Sequence, residues 1–289
     1  MTSDIVSATL PGNTVRPILS AAESADGVAA FSEAFERGLD DDSLNHTHLI
    51  VEKSGAPVAV AGIAPDGSVE MAVHPEHRRA GHGRALVEAA RERNTDAGFW
   101  AHGDLPAAQE LAAAFGMKKV RELLVMGTVL DDDTQAPQLR DGYDLVAYPL
   151  LVDRWGRGVV EKQWLEVNND AFSWHPEQGG WDIEQLHRAM DTEWFDPSGL
   201  LFLVAGEEIA GFHWTKRHPD GTGEVYVVGL ASAHRGEGMG GPLAQAGLSY
   251  LKNAGSSQVI LYVESDNEAA VKRYRQLGFE IREQHVVYK

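Results

Sequence analysis

The chain contains no cysteine among its 289 residues. Disulfides, thiolate nucleophiles and cysteine-ligated metals are thereby excluded, and any chemistry must come from other side chains. Basic residues are scarce as well: 25 Lys and Arg stand against 43 Asp and Glu, for a formal charge of −18. A nucleic-acid-binding face needs a surplus of Lys and Arg, which this composition does not supply. An anionic ligand would have to be held locally, by backbone N–H groups and a few basic side chains. The acidic excess leans weakly toward a cationic or amine partner. Long apolar runs are also missing. No stretch approaches the ~20 residues a membrane-spanning helix requires. The opening MTSDIVSATLPGNTVRP has neither a basic start nor a signal-like apolar run, so a cytoplasmic location is expected. The pairs His46/His48 and His74/His77 have no convincing third ligand nearby, so no metal is expected.

What is present is a pattern that occurs twice. Residues 68–73 and 223–228 read as strands, being rich in Val with Tyr226 among them. Each is followed by Arg-x-x-Gly-x-Gly, as Arg78, Gly81 and Gly83 in one copy and Arg235, Gly238 and Gly240 in the other. Helical spacing then runs over 85–93 and 243–252. Glycines let such a turn bring backbone N–H groups close to a ligand, and a helix start adds its own free N–H groups and dipole. The combination is an anion site suited to a pyrophosphate. Downstream, FWAHGDLPAAQELAAAFGM (99–117) and LYVESDNEAAVKRYRQLGF (261–279) place Asp104, Ala107, Ala108 and Gly116 on Asp266, Ala269, Ala270 and Gly278 at one constant offset. A repeat of this length implies two copies of one domain. The expected division is 1–130, a polar, acidic linker at 131–141 containing Pro137, and 142–289.

The Arg-x-x-Gly-x-Gly turn after a strand resembles the acyl-CoA loop of GCN5-related N-acetyltransferases. That resemblance implies a mixed α/β, α+β-like fold: two tandem domains, each a twisted, mostly antiparallel sheet flanked by helices. Its parallel strand pair should splay beyond the loop to admit the pantetheine arm. Acetyl transfer to an amine needs the thioester held beside the nucleophile, a base for the ammonium proton and a proton for the leaving thiolate. No covalent intermediate is required. Glu224, at the start of the strand leading into the second loop, is the candidate general base. Tyr274, on the short helix after the next strand, is the candidate general acid. In the first copy Ala112 takes the place of Tyr274, and counting back from the loop puts Gly67 in the place of Glu224, with Glu70 nearby. Either the first domain binds acetyl-CoA without turning it over, or it is a structural half with a vestigial loop.

A narrower resemblance covers nearly the whole chain. DGVAAFSE (26–33), FWAHGD (99–104), EVNNDAF (166–172), HPEQGGW (175–181), WFDPSGL (194–200), GFHWTK (211–216), GEVYVVG (223–229) and LYVESDN (261–267) are similar to the mycothiol synthase family, the tandem acetyltransferases of actinobacteria. The resemblance implies acetyl transfer from acetyl-CoA to the cysteinyl amine of Cys-GlcN-Ins, giving mycothiol and CoA; a monomer is expected, with no nucleic-acid or membrane partner. It places Glu177, Lys216, Glu224, Tyr262 and Tyr274 around the acceptor, and Glu33 at a vestigial acceptor pocket in the first domain. Acetyl-CoA in the active domain would be held by Val228, Gly229 and Leu230 on the strand, and by Arg235, Gly236, Glu237, Gly238, Met239, Gly240 and Gly241 in the loop. Asn267, Glu268, Ala269, Ala270, Val271 and Lys272 would complete that site. In the first domain the equivalents are Met71, Ala72 and Val73, then Arg79, Ala80, Gly81, His82, Gly83 and Arg84. Glu237 departs from the family pattern, because a carboxylate near a pyrophosphate is unfavourable unless it points away. Two alternatives stand beside this reading: a tandem acetyltransferase for another amine, such as an antibiotic or peptide, and a non-catalytic acyl-CoA sensor.

Overall fold

The computed structural model describes residues 4–9, 11–131, 137–174 and 178–289. They form two compact units: Met1–Leu124 with Glu264–Asp266 and Glu283–Lys289, and Val125–Val263 with Asn267–Arg282. These units differ in extent from the linear halves 1–130 and 142–289, since the last segment groups with unit 1. Composition marks where a linker can lie, but strand pairing across a long sequence separation leaves no compositional trace. Residues 132–136 of the expected linker lie outside the described residues.

Unit 1 runs β1 (Asp4–Ala8), α1 (Gly12–Asp26), α2 (Glu33–Gly38), β2 (Thr47–Lys53), β3 (Ala56–Ile63), β4 (Ser68–Val73), α3 (His82–Arg93), β5 (Gly98–His102), α4 (Pro106–Ala114) and the first part of β6 (Lys119–Val129). Strands β1 to β4 pair antiparallel in sequence order, and β4 pairs parallel with β5. Alternation sorts the two faces. Leu49, Val51, Ala59, Ala61 and Val69 pack against Leu86, Val87 and Ala90 of α3. Ile50, Val60 and Ala72 pack against Val15, Ile18 and Leu19 of α1 and Phe35 of α2. Gly27 ends α1 in the left-handed conformation (φ 73°), and Ser32 caps α2.

Unit 2 continues through β7 (Tyr143–Ala147), α5 (Tyr148–Trp155), α6 (Arg157–Ala171), α7 (Ile183–Met190), β8 (Leu200–Ala205), β9 (Glu208–Arg217), β10 (Gly223–Leu230), α8 (Gly240–Asn253), β11 (Gln258–Glu264) and α9 (Glu268–Gln276). The last strand, β12 (Glu280–Tyr288), ends in unit 1, where His285, Val286, Val287 and Tyr288 pair antiparallel with His102, Ala101, Trp100 and Phe99 of β5. Within unit 2, β7 to β10 pair antiparallel in sequence order and β10 pairs parallel with β11. Each unit therefore has the mixed α/β character and mostly antiparallel sheet expected of it.

Strand β9 is buried on both faces. Phe212 and Trp214 join Trp164 of α6 and Phe202 in an edge-to-face aromatic core, with Trp164 to Trp214 centroids 5.2 Å apart. His213 points the other way, beneath α8, where its Nδ1–H donates to the Leu243 carbonyl at 3.0 Å. Only glycine fits at position 247 of α8, since a Cβ there would lie 2.0 Å from the His213 ring. Burial pushes the His213 pKa down to about 4, so the ring is neutral in the fold. An unfolded histidine takes a proton below about 6.5. Stability from the neutral ring is therefore complete above pH 6.5 and is lost as pH falls toward 4. We expect about 2 kcal/mol of lost stability at pH 5 from this group. Thermal unfolding between pH 7 and 5 should show the slope, and His213→Asn should flatten it; a slope unchanged in that variant would assign the titration elsewhere.

The parallel pairs are short. Only Ser68 and Val69 pair with Gly98 and Phe99, and only Gly223, Glu224 and Val225 pair with Val259, Ile260 and Leu261. Beyond them β4 and β5, and likewise β10 and β11, run on unpaired to each other, which is the expected splay.

Candidate active site

The two glycine turns share their internal bonds. Arg78 Nε donates to the Val73 carbonyl and Arg235 Nε to the Leu230 carbonyl, both at 3.2 Å across five residues. Each arginine thus ties its turn back to the strand end. Left-handed backbone recurs at matched positions: Gly236 and Gly238 (φ 83° and 81°) in one turn, Arg79 and Gly81 (φ 61° and 90°) in the other. Arg79 holds a conformation in which L residues are uncommon. A Cβ at Gly236, Gly238 or Gly81 would meet nothing within 4 Å, so these backbones face open space in front of α8 and α3.

In unit 2 the turn is braced from β7. The Tyr143 hydroxyl donates to Glu237 Oε2 at 2.6 Å and lies 2.7 Å from His234 Nδ1, while Arg140 donates to the Glu237 carbonyl at 2.9 Å. Glu237 is thereby engaged by Tyr143, and Arg140 brings a guanidinium to the turn. Arg273 of α9 passes over Gly241 at the start of α8. Arg140 and Tyr143 did not stand out in the sequence because both are distant from the turn along the chain, whereas Arg273, between Lys272 and Tyr274, was passed over although adjacent to named residues. Two expected cofactor residues have other work: the Met239 and Val271 side chains are buried, Met239 beside Leu203 and Leu243. Met239 is the residue just before α8 and Val271 lies on the inward face of α9, so their backbones remain for a ligand. Asn267 caps α9 by accepting from the Ala270 N–H at 3.2 Å.

Glu224 is 5% exposed, so it is not the solvated strand-end residue its position suggests. It sits directly opposite Lys216 of β9 and beside Ile260 of β11. Its Oε2 lies 2.7 Å from His218 Nε2. His218 reaches it because the hairpin 218–222, carrying Asp220-Gly221, folds β9 back onto β10. Lys216 places its Nζ 4.8 Å from the Trp194 ring centroid and 5.9 Å from that of Tyr226. Tyr262 shares the face of Ile260 on β11 and is 47% exposed. Tyr274 is half-buried on α9 against Phe279, and burial pushes its pKa up to about 12. Its hydroxyl is therefore protonated at neutral pH. Glu177 lies outside the described residues.

A β-bulge separates the two copies. Val225 stands opposite Thr215 and Val227 opposite Trp214, so Tyr226 is one residue extra. Strand β4 has no such shift, running Val69 to Val73 opposite Ile63 to Ala59 in regular register. The parallel pairs fix the consequence: Ser68 opposite Gly98 matches Glu224 opposite Ile260. Ser68, not Gly67, is thus the unit 1 counterpart of Glu224. Glu70, two residues on along the same face, is 2% exposed and already engaged, accepting from the Ser32 N–H at 2.6 Å with His102 Nε2 at 3.1 Å.

Unit 1 nonetheless has a cavity of about 950 Å³. Met71, Ala72, Val73, Arg79, Gly81, His82, Gly83 and Arg84 all line it, and so does Ala112. Ala80 and Glu33 are not among its lining residues. Arg79 pairs with Glu110 at 2.6 Å, and Arg84 lies 4.9 Å over the Phe115 ring. Among the described residues no helix is long and apolar enough to cross a membrane, and no group of three or more His, Asp or Glu is placed to hold a metal ion.

Comparison with known proteins matches residues 162–279 to the acetyltransferase (GNAT) family and residues 45–116 to an acetyltransferase (GNAT) domain. Mycothiol acetyltransferase of Corynebacterium efficiens is 48% identical over 94% of this chain and 90% of its own length. That of Corynebacterium diphtheriae is 42% identical over 95% and 92%. Among solved structures, a GCN5-related N-acetyltransferase from Sphaerobacter thermophilus superposes with a TM-score of 0.78 at 22% identity, covering 98% of this chain and 94% of that one. A tandem GNAT protein from the clavulanic acid biosynthesis pathway gives 0.71 at 21% identity, covering 99% and 98%. These two share the fold. Bearing two GNAT matches and such relatives along nearly all of its length, the chain belongs to the mycothiol acetyltransferase family of acetyl-CoA-dependent N-acetyltransferases.

Proposed function

We propose that this chain transfers acetyl from acetyl-CoA to the cysteinyl amine of Cys-GlcN-Ins, and that its second domain, 142–289, carries the chemistry. The supporting observation is Glu224: a buried carboxylate, aligned by His218, at the root of the cleft where β10 leaves β11. The bulge at Tyr226 bends β10 within that cleft. Backbone N–H groups of 235–241 would hold the pyrophosphate, with Arg140 and Arg273 adding positive charge. Lys216, Tyr262 and Glu177 would contact the acceptor's hydroxyl groups.

Glu224 takes the ammonium proton directly or through water, and the freed amine nitrogen attacks the thioester carbonyl carbon. The N–C bond forms, and collapse of the tetrahedral intermediate breaks C–S as the nitrogen gives up its second proton to water. The thiolate then gains a proton. Tyr274, with its pKa near 12, is a weaker acid than a thiol of about 8.5. Its contribution as general acid is therefore hydrogen-bond donation to the developing thiolate, with the proton replenished from water. Tyr274→Phe should lower kcat about 10-fold with the acetyl-CoA KM unchanged. A raised KM with unchanged kcat would instead give the ring a packing role. Turnover of Cys-GlcN-Ins compared with other primary amines tests the acceptor: comparable kcat/KM for an unrelated amine would overturn it, and binding of acetyl-CoA without any turnover would favour a sensor. For the first domain, 1–130, we propose acetyl-CoA binding without turnover.

A further inference from the structure

The stretch EVNNDAF forms the C-terminal end of α6, and three successive residues of it hold two different segments. Asn168 and Asn169 grip the 178–181 segment. Asn168 donates to the Gln178 carbonyl at 2.8 Å and accepts from the Gln178 side chain at 2.9 Å. Asn169 donates to the Trp181 carbonyl at 2.8 Å and accepts from the Trp181 N–H at 2.9 Å. Asp170 faces the acetyl-CoA turn. Its carboxylate accepts from the Ser232 N–H, and its carbonyl accepts from Arg235 at 3.4 Å. The helix end can sit there because position 229 of β10 is glycine: a Cβ would lie 3.1 Å from the Ala171 Cβ and 3.2 Å from Phe172.

We infer that Asn168, Asn169 and Asp170 are positioning residues that couple acetyl-CoA binding to the seating of the 178–181 segment. None of the three touches the reacting atoms. Neighbouring residues on one helical turn cannot move independently, so ordering the 232–241 turn around a ligand biases α6, and through it the segment bonded to Asn168 and Asn169. The inference rests on 235–241 being the acetyl-CoA loop, but not on the identity of the acceptor amine.

Hydrogen–deuterium exchange at the Trp181 amide reads the coupling directly. Adding acetyl-CoA to the intact protein should slow that exchange roughly 5-fold or more. Asp170→Ala should abolish the slowing while acetyl-CoA still binds, and Asp170→Asn, which keeps an acceptor for the Ser232 N–H, should restore it. By reciprocity Asn169→Ala, remote from the turn, should weaken acetyl-CoA binding about 3-fold by calorimetry. Undiminished slowing in Asp170→Ala, no slowing in the wild type with acetyl-CoA bound, or unchanged affinity in Asn169→Ala would each overturn the coupling. Failure to acetylate Cys-GlcN-Ins with the exchange response intact would overturn the acceptor instead.

Discussion

Glu224→Gln is expected to lower kcat by roughly 100-fold or more at pH 7, the usual scale for a lost general base. The amide is the informative replacement because the side chain is buried against His218. Glutamine keeps the volume and one acceptor oxygen for the His218 N–H, whereas alanine would open a hole and strand a half-buried imidazole. Folding should therefore survive, with an unfolding midpoint close to wild type. An α-amino group titrates near 7.7–8.0, so at pH 7 most of the acceptor is ammonium and needs the base. Above pH 8 the free amine dominates, and the variant should recover part of its rate. Near-wild-type turnover at every pH would remove Glu224 from the chemistry. A uniform loss without recovery would make it a binding residue.

Replacing Gly81 and Gly83 by valine is expected to remove one of two acetyl-CoA equivalents bound per chain. A Cβ at Gly81 meets no protein atom within 4 Å, so its side chain would enter the cavity that Gly81 lines. The same substitution forces a β-branched residue to φ near 90°, which is strained and spoils the anion-binding backbone. A Cβ at Gly83 would already be in van der Waals contact with Leu111 at 3.4 Å, so the branches of a valine would crowd the space between α3 and α4. Calorimetry should give two sites in wild type and one in the variant. With Ala112 where the second domain has Tyr274, and Ser68 where it has Glu224, the lost equivalent should not be a productive one. A single site in wild type would end the binding claim for the first domain. Loss of turnover with the second site still filled would make the first domain a participant in catalysis.

The duplication, the fold and both glycine turns were legible because they are local: a strand, a turn with fixed glycines and a helix leave their pattern in adjacent residues. Glu224 was legible for the same reason. Its counterpart was not, since counting back from the loop assumes a strand without interruption and the bulge at Tyr226 adds a residue. Arg140 and Tyr143 reach the site through sheet packing across a long separation, which no short window records; His218 and Arg273 lie beside named residues, but a lone His after a strand and one Arg of several on a helix carry no signal of their own. Specific-looking motifs also mixed two kinds of residue. In GFHWTK, Phe212, His213 and Trp214 are core groups, while Lys216, buried as well, holds its ammonium over the Trp194 ring opposite Glu224.

The strand pairing of unit 1 has a temporal consequence. Strand β5 is flanked on one side by residues 285–288, yet residues 1–124 leave the ribosome long before these are made. At 5–20 residues per second, the intervening chain takes roughly ten to thirty seconds to synthesise. Throughout that interval β5 presents a bare edge of unpaired N–H and carbonyl groups, the kind of surface that recruits foreign strands. The N-terminal unit, though translated first, is thus the later of the two to gain its full sheet, and the nascent protein's exposure to misassembly is set by a segment that takes no part in the proposed chemistry.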